Sequence, residues 1–145
     1  MGRYLIVAHQ TAASPELIER AQDLAANDLK AKFVLLVPAT PVMHLLHWEE
    51  GESREIAWRR AEQATHMLLG AGIEVVAFRI GVASPLQAVD DELREHPGYH
   101  GILLSTFPPG RSRWLRSDLP AKLRRHHGLP VEHVIAAPTG APTTT

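Results

Sequence analysis

Three arginines, Arg111, Arg113 and Arg116, fall within six residues of one stretch, Ser105-Thr106-Phe107-Pro108-Pro109-Gly110-Arg111-Ser112-Arg113-Trp114-Leu115-Arg116-Ser117. A guanidinium presents a planar fork of donors that matches phosphate bidentately, so this spacing suits the capture of an anion. The hydroxyls of Ser105, Thr106 and Ser117 and the side-chain-free backbone at Gly110 add neutral donors. Ser105 and Thr106 either bond a ligand or cap the loop. No Gly-x-Ser-x-Gly elbow is present to make either a nucleophile. His9 titrates near neutral pH at the end of an apolar run, Leu5-Ile6-Val7-Ala8, but has no partner in sequence. It reads as a polar lining residue rather than a general base, and no catalytic residue is expected.

Charge is distributed unevenly. Residues 97–145 carry six basic and two acidic residues, whereas residues 1–96 carry nine basic and fourteen acidic, which nearly cancel to the net charge of −1. Near-neutrality argues against binding nucleic acid or anionic membrane by bulk electrostatics. The basic segment remains a local anion site or a solvated helix face, and Lys122, Arg124 and Arg125 fit the latter by complementing a helix dipole. Trp114 either stacks on a base or folds back over the strand ends, the second being preferred.

Other constellations are weaker. His44-Leu45-Leu46-His47-Trp48-Glu49-Glu50 puts two imidazoles near carboxylates, but Met43, Leu45, Leu46 and Trp48 favour an amphipathic cover over a metal site, and no metal is expected. His126 and His127 are adjacent and point apart on a helix. Gly70-Ala71-Gly72 precedes a strand and reads as a helix stop, and no Walker A pattern occurs. The absence of cysteine excludes disulfides, thiolate metal sites and a cysteine nucleophile. His9 and Gln10 stop the first apolar run short of a signal-peptide core, and no run approaches the roughly 20 residues that span a bilayer. The expectation is a soluble cytoplasmic protein.

These groups must be positioned by alternating strands and helices. Strands are expected at Leu5–Ala8, Phe33–Val37, Ile73–Ile80, Gly101–Leu104 and Val131–Ala136. Helices begin at Ser14-Pro15 and Ser84-Pro85, where serine caps and proline takes the first helical position. A long helix runs from Ser53 to Leu69, and a short basic one from Ser117 to His126. That order predicts an α/β fold, one doubly wound domain over residues 1–137. Its five-stranded parallel sheet has the order 3-2-1-4-5 with helices on both faces, and residues 138–145 form a disordered tail. Ligands of such sheets sit beyond the carboxyl ends of the strands, here at Ala8-His9-Gln10, at Val37 and in the Ser105–Ser117 loop.

Leu5-Ile6-Val7-Ala8, Gly81-Val82-Ala83-Ser84-Pro85-Leu86, Gly101-Ile102-Leu103-Leu104-Ser105-Thr106 and Leu129-Pro130-Val131-Glu132-His133-Val134 together resemble the universal stress protein domain across residues 3–136. The resemblance implies an adenine nucleotide, ATP or AMP, or another phosphate compound in the strand-end cleft, with a regulatory or stress-resistance role. It also implies a homodimer through the final strand, with Val131, Val134 and Ile135 at the edge. The chain departs from the family's glycine-rich loop. Gln10 stands where the first loop calls for Asp, Ser105 and Pro108 stand at glycine positions, and Arg116-Ser117 matches the last pair only with a one-residue slip. Two prolines remove donors and stiffen the loop, and Asp118 competes for the following helix dipole, leaving the arginines to supply the charge. The alternative is an interaction module that binds an acidic protein partner through the Arg/Trp loop.

Overall fold

The computed structural model describes residues 2–40, 50–110 and 112–137. Arg111, the His44–His47 segment and the 138–145 tail therefore lie outside the described residues. Five strands, β1 (Arg3–Val7), β2 (Lys32–Pro38), β3 (Val75–Gly81), β4 (Gly101–Thr106) and β5 (Val131–Ile135), form one parallel sheet in the order β3-β2-β1-β4-β5. The expected α/β architecture and strand order are both present.

The helices follow from local sequence. In α1 (Pro15–Asn27), the Ser14 hydroxyl accepts from the Leu17 N–H, and in α3 (Pro85–Glu95) the Ser84 hydroxyl accepts from Gln87. Both start on proline, whose missing N–H costs nothing at that position. The long helix α2 spans Glu50–Gly70, starting earlier than the sequence pattern suggested. The basic helix expected over Ser117–His126 is α5 (Leu119–His127), and a separate short helix, α4 (Arg113–Arg116), precedes it in the stretch read as a loop. The break is at Asp118, which adopts φ 56°, ψ 45°. A non-glycine residue in that left-handed region ends one helix and redirects the chain.

The sheet separates two apolar cores. Ile6, Ala8, Leu35, Val37, Leu103 and Val134 face α1 and α2, where Leu17, Ala21, Ala57, Ala61, Ala64 and Leu68 meet them. Leu5, Val7, Leu36, Ile102, Leu104 and Val131 face the other helices and pack with Ala88, Val89, Leu119 and Leu123. Strand alternation divides the residues between the two, and the near-continuous apolar strands are what burial on both faces requires. Trp114 is 9% exposed and belongs to the second core, as preferred from the sequence.

Of the residues expected at the β5 edge, Val131 and Val134 have side chains buried in the chain's own two cores, and Ile135 is exposed. Val131 and Val134 alternate across the sheet, so neither side chain points along the free edge.

Candidate functional site

The carboxyl ends of β1, β2 and β4 come together as the topology demands. Beyond β1 the ladder continues for one residue, with the Ala8 N–H donating to the Leu36 carbonyl at 3.2 Å. The chain then turns tightly, Ala12 N–H to His9 carbonyl and Ser14 N–H to Thr11 carbonyl, into the cap of α1. Beyond β2, Ala39 N–H donates to the Gly81 carbonyl and the Thr40 hydroxyl to the Ala83 carbonyl, fixing this rim to the end of β3.

Ser105 and Thr106 are successive residues of one strand and diverge to opposite faces. The Ser105 hydroxyl lies 2.7 Å from that of Thr11 and ties β4 to the first turn. The Thr106 hydroxyl donates to the Phe107 carbonyl at 2.7 Å and lies 2.8 Å from His133 Nε2 on β5. Its single proton goes to the carbonyl, so Nε2 of His133 carries the hydrogen of that second bond. Burial, with Arg124 nearby, holds His133 below the ordinary histidine range, in keeping with a neutral ring.

His9 differs from these. It is only 7% exposed, and among the described residues neither Nδ1 nor Nε2 has a hydrogen-bond partner. Burial and then the positive charge of Arg60 on α2 lower its pKa from 6.5 to about 4, so at neutral pH the ring is uncharged, with one donor and one acceptor. A buried polar group without a partner costs about 1–3 kcal/mol. A ligand that supplies a donor or an acceptor recovers that cost.

The remaining residues expected at the site divide. Ala8 and Val37 are fully buried and their side chains fill the α1/α2-side core. Gln10, Gly110, Arg116 and Ser117 are exposed. Gly110 adopts φ +94° with open space where a Cβ would stand, a conformation that suits glycine. The Ser117 hydroxyl donates to the Trp114 carbonyl at 3.1 Å and closes α4 rather than facing a ligand. Ser112 caps that helix, its hydroxyl accepting from Leu115 N–H. Arg113 opens α4, but its side chain lies outside the described part. Thr11, Arg60 and His133 were not singled out from the sequence as site residues. Arg60 carried a signal, since it flanks the apolar Ala57, Ala61, Ala64 stripe of α2 and so borders the buried face.

Among the described residues no group of three or more histidine, aspartate or glutamate side chains is placed to hold a metal, and no helix is long and apolar enough to cross a membrane.

No protein-family model and no curated protein sequence matches the chain. Solved structures do. A protein of the universal stress protein family from Burkholderia pseudomallei superposes with a TM-score of 0.62 at 16% identity, covering 93% of this chain and 96% of that one. The fold is that of the universal stress proteins. A universal stress protein in complex with cAMP gives a TM-score of 0.59 at 17% identity, over 93% of this chain and 97% of its own. A universal stress protein family member from Arabidopsis thaliana with AMP bound gives 0.57 at 11% identity, over 99% and 97%. Universal stress proteins thus share this architecture almost end to end at identities where sequence comparison carries little.

Proposed function

We propose that this universal-stress-like chain binds an adenine nucleotide, ATP or AMP, at the carboxyl ends of β1, β2 and β4, and acts by binding rather than by turnover. The observation that carries the reading is His9, a buried neutral imidazole with both nitrogens unpartnered among the described residues, two positions before Thr11, whose hydroxyl pairs with Ser105. Two proteins of the same fold are described with cAMP and with AMP. A nucleoside has the donors and acceptors that such a ring lacks. The phosphate falls to the Arg111, Arg113 and Arg116 cluster, because Pro108 and Pro109 remove backbone donors that a glycine-rich cradle would supply. A regulatory or stress-resistance role in the cytoplasm is what the likeness to universal stress proteins implies, and a Cys-free chain is compatible with it. The acidic-partner alternative loses its aromatic contact, because Trp114 is inside the second core.

Calorimetry with ATP, AMP and adenosine tests the proposal. Binding should occur in the micromolar-to-millimolar range, and changing Arg111 and Arg113 together to alanine should weaken ATP more than adenosine. Absence of heat and of any thermal shift at millimolar nucleotide would overturn it. Equal loss for ATP and adenosine would show that the arginines do not touch phosphate.

A further inference from the structure

The amino ends of the strands form a second cleft, opposite the carboxyl ends where His9 lies. Arg3 opens β1 and Lys32 opens β2, and the two are register partners in the parallel ladder. Arg3 shares its face with Leu5 and Val7, and Lys32 shares its face with Val34 and Leu36, so both side chains leave the sheet on the α3/α5 side. Neighbouring strands run about 4.8 Å apart, which sets two positive charges side by side. Charges of one sign at that spacing repel unless an anion joins them.

No described carboxylate does so. Among the described residues none of Arg3, Lys30 and Lys32 forms an ion pair. The Asp28 carboxylate, close to Lys30 in sequence, accepts from the backbone N–H groups of Gly2 and Lys30. The Arg3 guanidinium donates to the carbonyls of His96 and Pro97 and lies over the Tyr99 ring at 4.5 Å, while its enclosed Nε has no partner among the described residues. Carbonyls and an aromatic face orient this cation without cancelling its charge.

Arg3, Lys30, Lys32, Glu74 and His100 line one open cleft of about 630 Å³. Three cations face one carboxylate there, an excess of two positive charges. His100 Nδ1 accepts from the Arg3 backbone N–H at 3.1 Å, which leaves Nε2 of the neutral ring as a further donor. Gly98 forms part of the wall at φ +109°, and a Cβ there would stand 3.2 Å from the Arg3 guanidinium, so glycine keeps that side clear. A cleft lined by one sign of charge raises the local concentration of the opposite ion.

We infer that this cleft is an anion site for a phosphate monoester. Such a group carries close to two negative charges at neutral pH, which matches the excess, and it holds them on one set of oxygens that neighbouring cations can share. Lys30 and Lys32 supply mobile charge, Arg3 a fixed one, and Glu74 limits the total. The inference does not rest on the nucleotide reading, because β1, five residues long, puts about 16 Å between the two ends of the sheet.

Amide NMR on the whole chain tests it, with glycerol phosphate and a short phosphoserine peptide titrated at an ionic strength held constant by sodium chloride. Shifts at Gly2, Leu29 and Gly98 should saturate with a Kd of about 1 mM or below, and the tighter ligand identifies the source as a small ester or a modified protein. Lys30→Ala/Lys32→Ala, at two exposed positions, should weaken binding about tenfold or more. Glu74→Gln removes the opposing carboxylate and should strengthen binding about threefold. AMP-induced shifts around His9 should be the same in all three proteins, which separates a failure of this site from a failure of the other. Shifts that do not saturate or that chloride alone reproduces, equal affinity for succinate, binding that survives the double lysine replacement, or weakening by Glu74→Gln would each overturn the inference.

Discussion

Glu92 and His9 are buried to nearly the same degree, 5% and 7% exposed, and their surroundings are opposite. The Glu92 carboxylate accepts from Arg79 Nε at 2.9 Å and from the Tyr99 hydroxyl at 2.7 Å, joining α3 to β3 and to the segment before β4. The bond to Glu92 helps to raise the Tyr99 pKa, after burial, so the phenol stays protonated and donates. Tyr99 carries Arg3 over its ring, and Arg3 in turn donates to the carbonyls of His96 and Pro97. Glu92, Tyr99 and Arg79 each have a partner, and in Arg3 the Nε is left without one among the described residues. His9, just beyond the carboxyl end of β1, has none for either nitrogen among the described residues. A protein tolerates a buried polar group when the fold satisfies it, and one left unsatisfied calls for an explanation, of which an ordered water or a bound ligand is one.

The comparison can be broken experimentally, and the largest effect should come from the satisfied side. Glu92→Ala strips the Tyr99 hydroxyl and Arg79 of their acceptor, and urea unfolding should show a loss of about 2–3 kcal/mol. Arg79 is partly exposed and can turn to water, so the cost stays below that of a fully enclosed pair. A loss under about 0.5 kcal/mol would mean the network is incidental.

The next effect is one of pH. The folded-state pKa of His9, about 4, lies below its ordinary 6.5, so between those values the unfolded chain binds more protons. Stability from this group is therefore full above about pH 6.5 and lost as pH falls toward 4. Replacing His9 with Leu should reduce the slope of stability against pH in that window by up to about 1.4 kcal/mol per unit. Identical slopes for the two proteins would show that the ring is not buried as a neutral base.

At pH 7.5 the same His9→Leu variant should be equal to or about 1 kcal/mol more stable than wild type in thermal melts, because an unpartnered polar ring has been replaced by an apolar side chain. AMP binding measured by calorimetry should fall about tenfold. Destabilisation together with undiminished binding would place His9 with Glu92 as a structural residue. The smallest effect is expected at Thr106→Val, which removes the partner of His133 and should cost about 0.5–1 kcal/mol in the same melts, with His9-dependent binding unchanged.

Much of the architecture could be read directly from residue order. Serine caps followed by proline located the starts of α1 and α3, and the apolar runs located all five strands to within a few residues, because caps and periodicities act within a turn or along a strand. The Ser117–His126 helix is present as α5, two residues later at its start, while α4 and the left-handed Asp118 between them were missed, because asparagine, aspartate and glycine can all adopt that conformation and their presence does not require it. The candidate site was half legible. Its loops followed from topology, whereas Val37 and Ala8 proved to be core side chains and Ser117 a helix-closing hydroxyl.

By itself the sequence determined the α/β class, the order of elements, the prolines of the Ser105–Ser117 loop and the concentration of positive charge after residue 97. Only the tertiary structure decided which polar groups are partnered. Ser105 finds Thr11 across 94 residues of chain, and Arg60 approaches His9 from a helix on the far side of a crossover. Arg124 likewise folds back to bond the Val131 carbonyl of β5, and Arg79 turns inward to Glu92 of α3. The reason is physical. Helix caps and strand alternation are satisfied by near neighbours, but the desolvation of a polar group and the hydrogen bond that offsets it depend on which distant segments the core brings into contact.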